Sequence, residues 1–218
     1  MVNVWRSRLE RWLGPLAAAT PLSPNAITLV ALTFVLAAAL CLAIARAHSA
    51  LFLVSLPLLA IGGLLDAFDG IVARVQGKTS RFGDFLDHFA DRVADLSLVC
   101  GWCMGAGIRM DLALLFLLSV SLNGYAGTQV EATFGVRDYD GVGRGEFVLA
   151  LIILPLLGYS LAVGGASTNS AGGLRIAEWA TVAVTIGALA GIAGRLRRAG
   201  LEARLQEKSP SDSSAERP

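Results

Sequence analysis

The sequence predicts an all-α integral membrane protein, with six transmembrane helices preceded by an interfacial amphipathic helix. Three observations carry that reading. Hydrophobic residues make up 55% of the chain and charged ones only 16%, where a soluble domain has roughly a quarter of its residues charged. Six stretches, at about 26–46, 50–73, 84–107, 111–132, 146–165 and 176–195, each supply the about 20 apolar helical residues that cross a bilayer. Lys and Arg, finally, cluster in alternate loops.

Residues 1–20 differ from the rest of the chain. Trp5, Leu9, Trp12 and Leu13 alternate with Arg6, Arg8, Glu10 and Arg11, the pattern of a helix lying in the plane of the interface. The same segment has charges but no early apolar core with a cleavage site, so no cleavable leader is expected. The bundle itself occupies 26–195 within a membrane domain of 1–204, and the polar, Ser/Pro-rich stretch 205–218 reads as a disordered tail. No internal repeat is visible. Cys41, Cys100 and Cys103 lie in apolar runs and read as small buried residues rather than as a metal or redox pair.

The basic residues set the orientation. Fourteen of the 18 Lys and Arg fall in the N-terminal segment, the loops near 74–82 and 133–145, and the C-terminal tail. Arg46, Arg109 and Arg175 are on the other side, and Arg92 is within a helix. The positive-inside bias therefore puts both termini and the second and fourth loops in the cytoplasm of a multi-pass cell-membrane protein. The net charge of +1 gives no sign of a nucleic-acid partner.

Against this apolar background, Asp66 and Asp69 end the second helix and Asp87 and Asp91 begin the third, across a short loop holding Lys78 and Arg81. Spacings of three and four place each pair on one helix face. Asp66 and Asp91 both lie roughly 12–14 Å in from the loop at 1.5 Å per residue. As antiparallel neighbours, the two helices bring four carboxylates to one depth near the cytoplasmic face. Each acid costs about 2.5–3.5 kcal/mol there. Protonation relieves some of that cost, as does pairing with Arg74 or Arg92; divalent cations relieve more, being hard ions that take oxygen ligands. Two metals on shared carboxylates also form a clamp for phosphoryl transfer. The plain alternative, acids at helix ends paired with arginines, accounts for two aspartates more readily than four. A transporter is the rival function, since intramembrane acids also mark ion pathways; it predicts acids spread over several helices, whereas these four sit on two.

The ordered set Asp66-x2-Asp69-Gly70-x2-Ala73-Arg74-x8-Gly83-x3-Asp87-x3-Asp91 resembles the signature of the CDP-alcohol phosphotransferase family at every defining position. The resemblance implies a metal-dependent transfer: a CDP-linked alcohol, usually a lipid, gives its substituted phosphate to the hydroxyl of a second alcohol, and CMP leaves. It implies metal ligation by Asp66, Asp69, Asp87 and Asp91, with Mg2+ or Mn2+, two ions, as cofactor, and Asp91 as the base. It implies a CDP pocket shaped by Gly70, Ala73, Arg74, Ser80 and Gly83, with the amides at the start of the third helix available to phosphate oxygens. "PLSPNAIT" resembles the family's Pro-Asn-x-x-Thr stretch, which adds Pro24, Asn25 and Thr28 to the nucleotide's surroundings. The partners implied are a CDP-lipid donor, a small alcohol acceptor, membrane lipid and a second copy in a homodimer.

The acceptor is harder to read. Relatives that use inositol phosphate carry a basic pair on the fourth helix in a stretch like Tyr-x-Arg-x-Arg-x-Glu. This chain keeps Tyr125 and Glu131 but has Gly127 and Gln129 at the basic places. Arg144 and Arg195 are then the acceptor candidates, and the expected acceptor is a polyol or polyol phosphate. His88 is expected to point away from the site, and His48 to sit in a surface loop.

Overall fold

Each apolar run folds as one helix, and local capping chemistry sets its limits. The computed structural model describes residues 12–135, 144–165, 170, 171 and 173–208. Most of the expected interfacial helix, residues 1–11, lies outside that set, as do 209–218 of the tail; the part described, 12–19, is helical (α1). Helix α2, Pro24–Ile44, starts two residues before the expected 26, because Ser23 accepts a hydrogen bond from the Ala26 amide at 3.3 Å and Pro24 takes the first turn. Helix α3, Ala50–Val75, ends where Gly77 turns left-handed at φ 63°. There Lys78 N–H reaches the Ala73 carbonyl at 2.8 Å and Gly77 N–H the Arg74 carbonyl at 3.3 Å, a Schellman ending. Helix α4, Arg81–Gly105, stops in the same way at Gly107.

Helices α5, Met110–Phe134, and α6, Arg144–Val163, come next. A two-residue antiparallel pairing, β1 (Ser170–Ala171) with β2 (Leu174–Arg175), then leads into α7, Ile176–Lys208. No periodicity marked those strands. Helix α7 runs on past Arg195, because the stretch from Leu196 to Lys208 holds strong helix formers and meets its first proline only at Pro210.

Helices α2, α3, α5 and α7 are long and apolar enough to cross a membrane. The first four turns of α4 are too charged to qualify on composition, carrying Arg81, Asp84, Asp87, Asp91, Arg92 and Asp95. The described side chains of α6 contribute an apolar stretch, Ile152–Val163. Among the described residues the fold is thus all-helical apart from the small hairpin, and it is integral to the membrane.

Six helices close a ring in the order α2, α4, α5, α7, α6, α3, with α3 returning to α2. Expected as direct neighbours, α3 and α4 hardly touch: α2 packs along both and stands behind them. The α2–α4 contact is close because Gly101 and Gly105 lie on one face of α4. A Cβ at Gly101 would collide with the Ala39 carbonyl, and one at Gly105 with the Leu42 carbonyl. Small residues four apart let two backbones approach in this way. Around that seam is the main apolar core, with Phe52, Leu98, Trp102, Phe116, Val120 and Leu154; Trp102 Nε1 donates to Thr181 Oγ1 of α7 at 2.9 Å.

At the Gly107 end a polar knot locks the ring. Buried Glu178 accepts from the Arg175 amide at 2.8 Å and the Arg109 amide at 3.3 Å, and pairs with the Arg175 guanidinium at 3.2 Å. The exposed Arg109 guanidinium is held above its ordinary pKa by its hydrogen bonds to Asp111. At the Gly77 end the packing is thinner. Ala17, Ile27, Ile71 and Val72 form a small second core. Gln76 Nε2 donates to the carbonyls of Ala17 at 2.8 Å and Thr20 at 3.0 Å, tying α1 to the end of α3.

Candidate metal and nucleotide site

Although α3 and α4 make few backbone contacts, their aspartates converge. Asp66 and Asp69, three apart on α3, meet Asp87 of α4, and one oxygen from each lies within 4.8 Å of the others. Burial grades across the set, with Asp66 exposed, Asp87 half-buried and Asp69 only 7% exposed. An all-oxygen set of three carboxylates drawn from two elements fits a hard divalent cation. Asp91, one turn along α4 from Asp87, lies outside the 4.8 Å set, though its charge and that of Asp87 both act on Asp69.

Asp69 is held by Thr28. The Thr28 hydroxyl, itself buried, lies 2.5 Å from Asp69 Oδ2 and 3.1 Å from the Pro24 carbonyl. It carries one proton, and the shorter contact, at the distance of a charge-assisted bond, takes it. Helix α2 therefore orients a carboxylate on α3. The Pro-Asn-x-x-Thr stretch reaches the site by this contact, whereas the sequence pattern places Thr28 beside the nucleotide and says nothing of Asp69.

The rest of that stretch meets the start of α4. Ser80 caps the helix, its Oγ accepting from Gly83 N–H at 3.0 Å. The Gly83 amide was expected to be open to phosphate oxygens; α4 begins three residues earlier than expected, and the cap occupies that amide. A Cβ on Gly83 would lie 3.2 Å from both Asn25 Oδ1 and Ser80 Oγ, so Asn25, Ser80 and Gly83 adjoin. On α3, the Arg74 guanidinium folds back over Gly70, with Nη1 3.3 Å from where a Cβ would stand. Ala73 lies one turn beyond Gly70, beside Arg74.

On the other side of α4 the ring brings in further cations. Arg195 of α7 donates to the carbonyl and side-chain oxygen of Asn123 on α5. Its guanidinium lies over Gly127, with Nε 3.1 Å from where a Cβ would be. The place on α5 where the sequence showed a glycine instead of a base is thus covered by an arginine from another helix. Arg144 opens α6; its side chain is outside the described set. His88 stands 4.0 Å from Asp84. A shallow surface groove runs along the last turns of α7, lined among others by Gly194, Arg197, Arg198 and Arg204; no sequence motif marked it. The three cysteines are free.

The geometry agrees with comparisons to known proteins. The profile of the CDP-alcohol phosphatidyltransferase family matches residues 21–189. The archaetidylinositol phosphate synthase of Methanothermobacter thermautotrophicus is 31% identical over 73% of this chain and 79% of its own length. That of Pyrococcus horikoshii is 37% identical over 45% of this chain, a match that spans only 53% of the relative. Among solved structures, the phosphatidylinositol phosphate synthase of Mycobacterium tuberculosis with CDP-DAG bound superposes with a TM-score of 0.59 at 22% identity, covering 98% of each chain. The same protein in complex with manganese and citrate gives the same TM-score, 0.59, over 98% of this chain and 93% of that one. At that identity the likeness is one of fold.

Proposed function

The chain belongs to the CDP-alcohol phosphatidyltransferase family, and from that premise we propose that it transfers the substituted phosphate of a CDP-lipid to a hydroxyl of inositol phosphate, or a closely similar polyol phosphate, releasing CMP. The observation that carries the reaction class is the convergence of Asp66, Asp69 and Asp87 from two helices within 4.8 Å. The names of the two archaeal relatives support the acceptor.

In this reading the acceptor oxygen bonds to the phosphorus bearing the lipid alcohol, the bond from that phosphorus to the CMP oxygen breaks, and CMP leaves with the electron pair. Asp91 takes the hydroxyl proton, as a carboxylate within hydrogen-bond reach can. Asp66, Asp69 and Asp87, with Asp91 one turn on, would hold Mg2+ or Mn2+, two ions, which would supply positive charge against the diphosphate and the leaving CMP. Arg74, folded over Gly70, turns toward the diphosphate and adds fixed positive charge there. Pro24, Asn25, Ala73, Ser80 and Gly83 shape the nucleotide pocket, while Thr28 keeps Asp69 in register. Arg195 and Arg144 serve the acceptor.

The membrane setting completes the reading. All six long helices span, α4 and α6 included, with 1–20 at the interface; the tail expected from 205 starts later, since α7 continues as helix to Lys208. Both termini and the site face the cytoplasm, supported by the distribution of Lys and Arg. The protein works as a homodimer.

The test is CMP release by purified full-length protein with Mg2+ and CDP-diacylglycerol, across inositol, inositol phosphate, glycerol phosphate and serine. Release is expected with inositol phosphate, falling by about 10²–10⁴-fold in Asp91→Asn. Release with another acceptor overturns the acceptor assignment. Silence throughout, without metal-dependent binding of the CDP-lipid, overturns the reaction.

A further inference from the structure

Arg92 is the one cation the positive-inside pattern leaves within a helix. It pairs with Asp95 at 3.0 Å, and its guanidinium points Nη1 at α5, where a Cβ at Gly124 would overlap that nitrogen. Arg195 reaches the same helix from α7 and covers Gly127. Gly124 and Gly127 are three apart on one face, so their Cβ positions are about 5–6 Å from each other. Two guanidiniums from opposite neighbours therefore flank the inward face of α5. The glycines are what make room for both.

Arg92 is eleven residues into α4, roughly 16 Å from its start at 1.5 Å per residue, and one residue past Asp91. A guanidinium at that depth does not face hydrocarbon without a large cost, and Arg92 turns instead to Asp95 and the backbone of α5. A third of its side chain, 34%, is exposed, while its Nε is buried and makes no hydrogen bond. Asp95 meets the fork at Nη1. A planar fork of N–H donors suits a phosphate monoester, and two guanidiniums one helical turn apart suit a dianion better than a neutral hydroxyl compound.

We propose that Arg92 is a specificity-determining residue of the acceptor site, which with Arg195 grips the acceptor's phosphomonoester from α4 and α7, in place of cations on α5. The proposal rests on inositol phosphate being the acceptor. It explains how a chain with Gly127 and Gln129 at the expected basic positions accommodates a doubly charged acceptor.

Steady-state kinetics of the full-length protein test it, with inositol phosphate varied at saturating CDP-diacylglycerol and inositol in a parallel series. Arg92→Gln is expected to raise KM for inositol phosphate about tenfold or more, the loss of a hydrogen bond to a charged group. Its kcat and its KM for the CDP-lipid should move far less, and Arg92→Lys should recover part of the loss. Gly124→Ala keeps the charge but pushes the guanidinium off α5, and should raise the same KM; it and Arg92→Lys decide the matter if Arg92→Gln does not fold. An unmoved KM for inositol phosphate in these variants overturns the proposal, as does a parallel fall in kcat and rise in both KM values that lysine does not relieve. Wild-type protein that uses inositol as readily as inositol phosphate sinks the acceptor reading itself, a result distinct from a selective wild type with an indifferent Arg92.

Discussion

Thr28 shows how much one hydroxyl can decide. Its bond to Asp69 joins residues 41 apart in sequence and orients the most buried of the three clustered carboxylates. Outer partners of ligating groups typically contribute 10–100-fold to metal affinity or activity. Thr28→Val is therefore expected to raise the Mn2+ concentration needed for half-maximal binding by about that factor, measured by electron paramagnetic resonance, with Thr28→Ser close to wild type. An unchanged titration would mean Asp69 needs no orienting. The carboxylate pairs were legible in the sequence because three- and four-residue spacing is a local property of any helix. The Thr28 contact was not, since nothing local says which side chain a hydroxyl will meet. Gly127 was misleading for a related reason: read alone it was a missing base, and only the fold shows the arginine that covers it.

At the scale of elements, α4 is two helices in one. Its first four turns carry the charged residues, Asp87 of the aspartate cluster among them, and their charge keeps α4 from qualifying as a span on composition. Its last turns, around Gly101 and Gly105, are packing surface. The sequence showed the boundaries of most helices to within two or three residues, because serine caps and positive-φ glycines are written locally. It did not show that α2 packs along both α3 and α4 while those two hardly touch, since a short loop defaults to neighbours, and only the glycine seam that draws α4 onto α2 settles the arrangement. Gly105→Ala is expected to cost about 1–3 kcal/mol of stability, as overpacking does. Gly187→Ala, with nothing within 4 Å of its Cβ, should be neutral or stabilising by about 1 kcal/mol. Thermal unfolding in detergent compares the two, and equal midpoints would remove the seam from the account.

For the molecule as a whole, the ring separates a locked end from a working end. Glu178 and its arginines close one; the aspartates open the other. With Cys41, Cys100 and Cys103 replaced, a single cysteine at Lys78 should react with a membrane-impermeant maleimide only from the cytoplasmic side, and one at His48 only from the opposite side. The reverse labelling would invert the orientation. The placing of the aspartates on membrane helices has a consequence of its own. The CDP-lipid proposed as donor brings its head group to aspartates on membrane helices while its acyl chains stay in the bilayer, so it reaches the site without first leaving the membrane. Encounter then happens in two dimensions. Turnover should follow the mole fraction of CDP-lipid in the vesicle surface and stay constant when donor and carrier lipid are diluted together into more water; the enzyme counts its neighbours in the plane of the membrane.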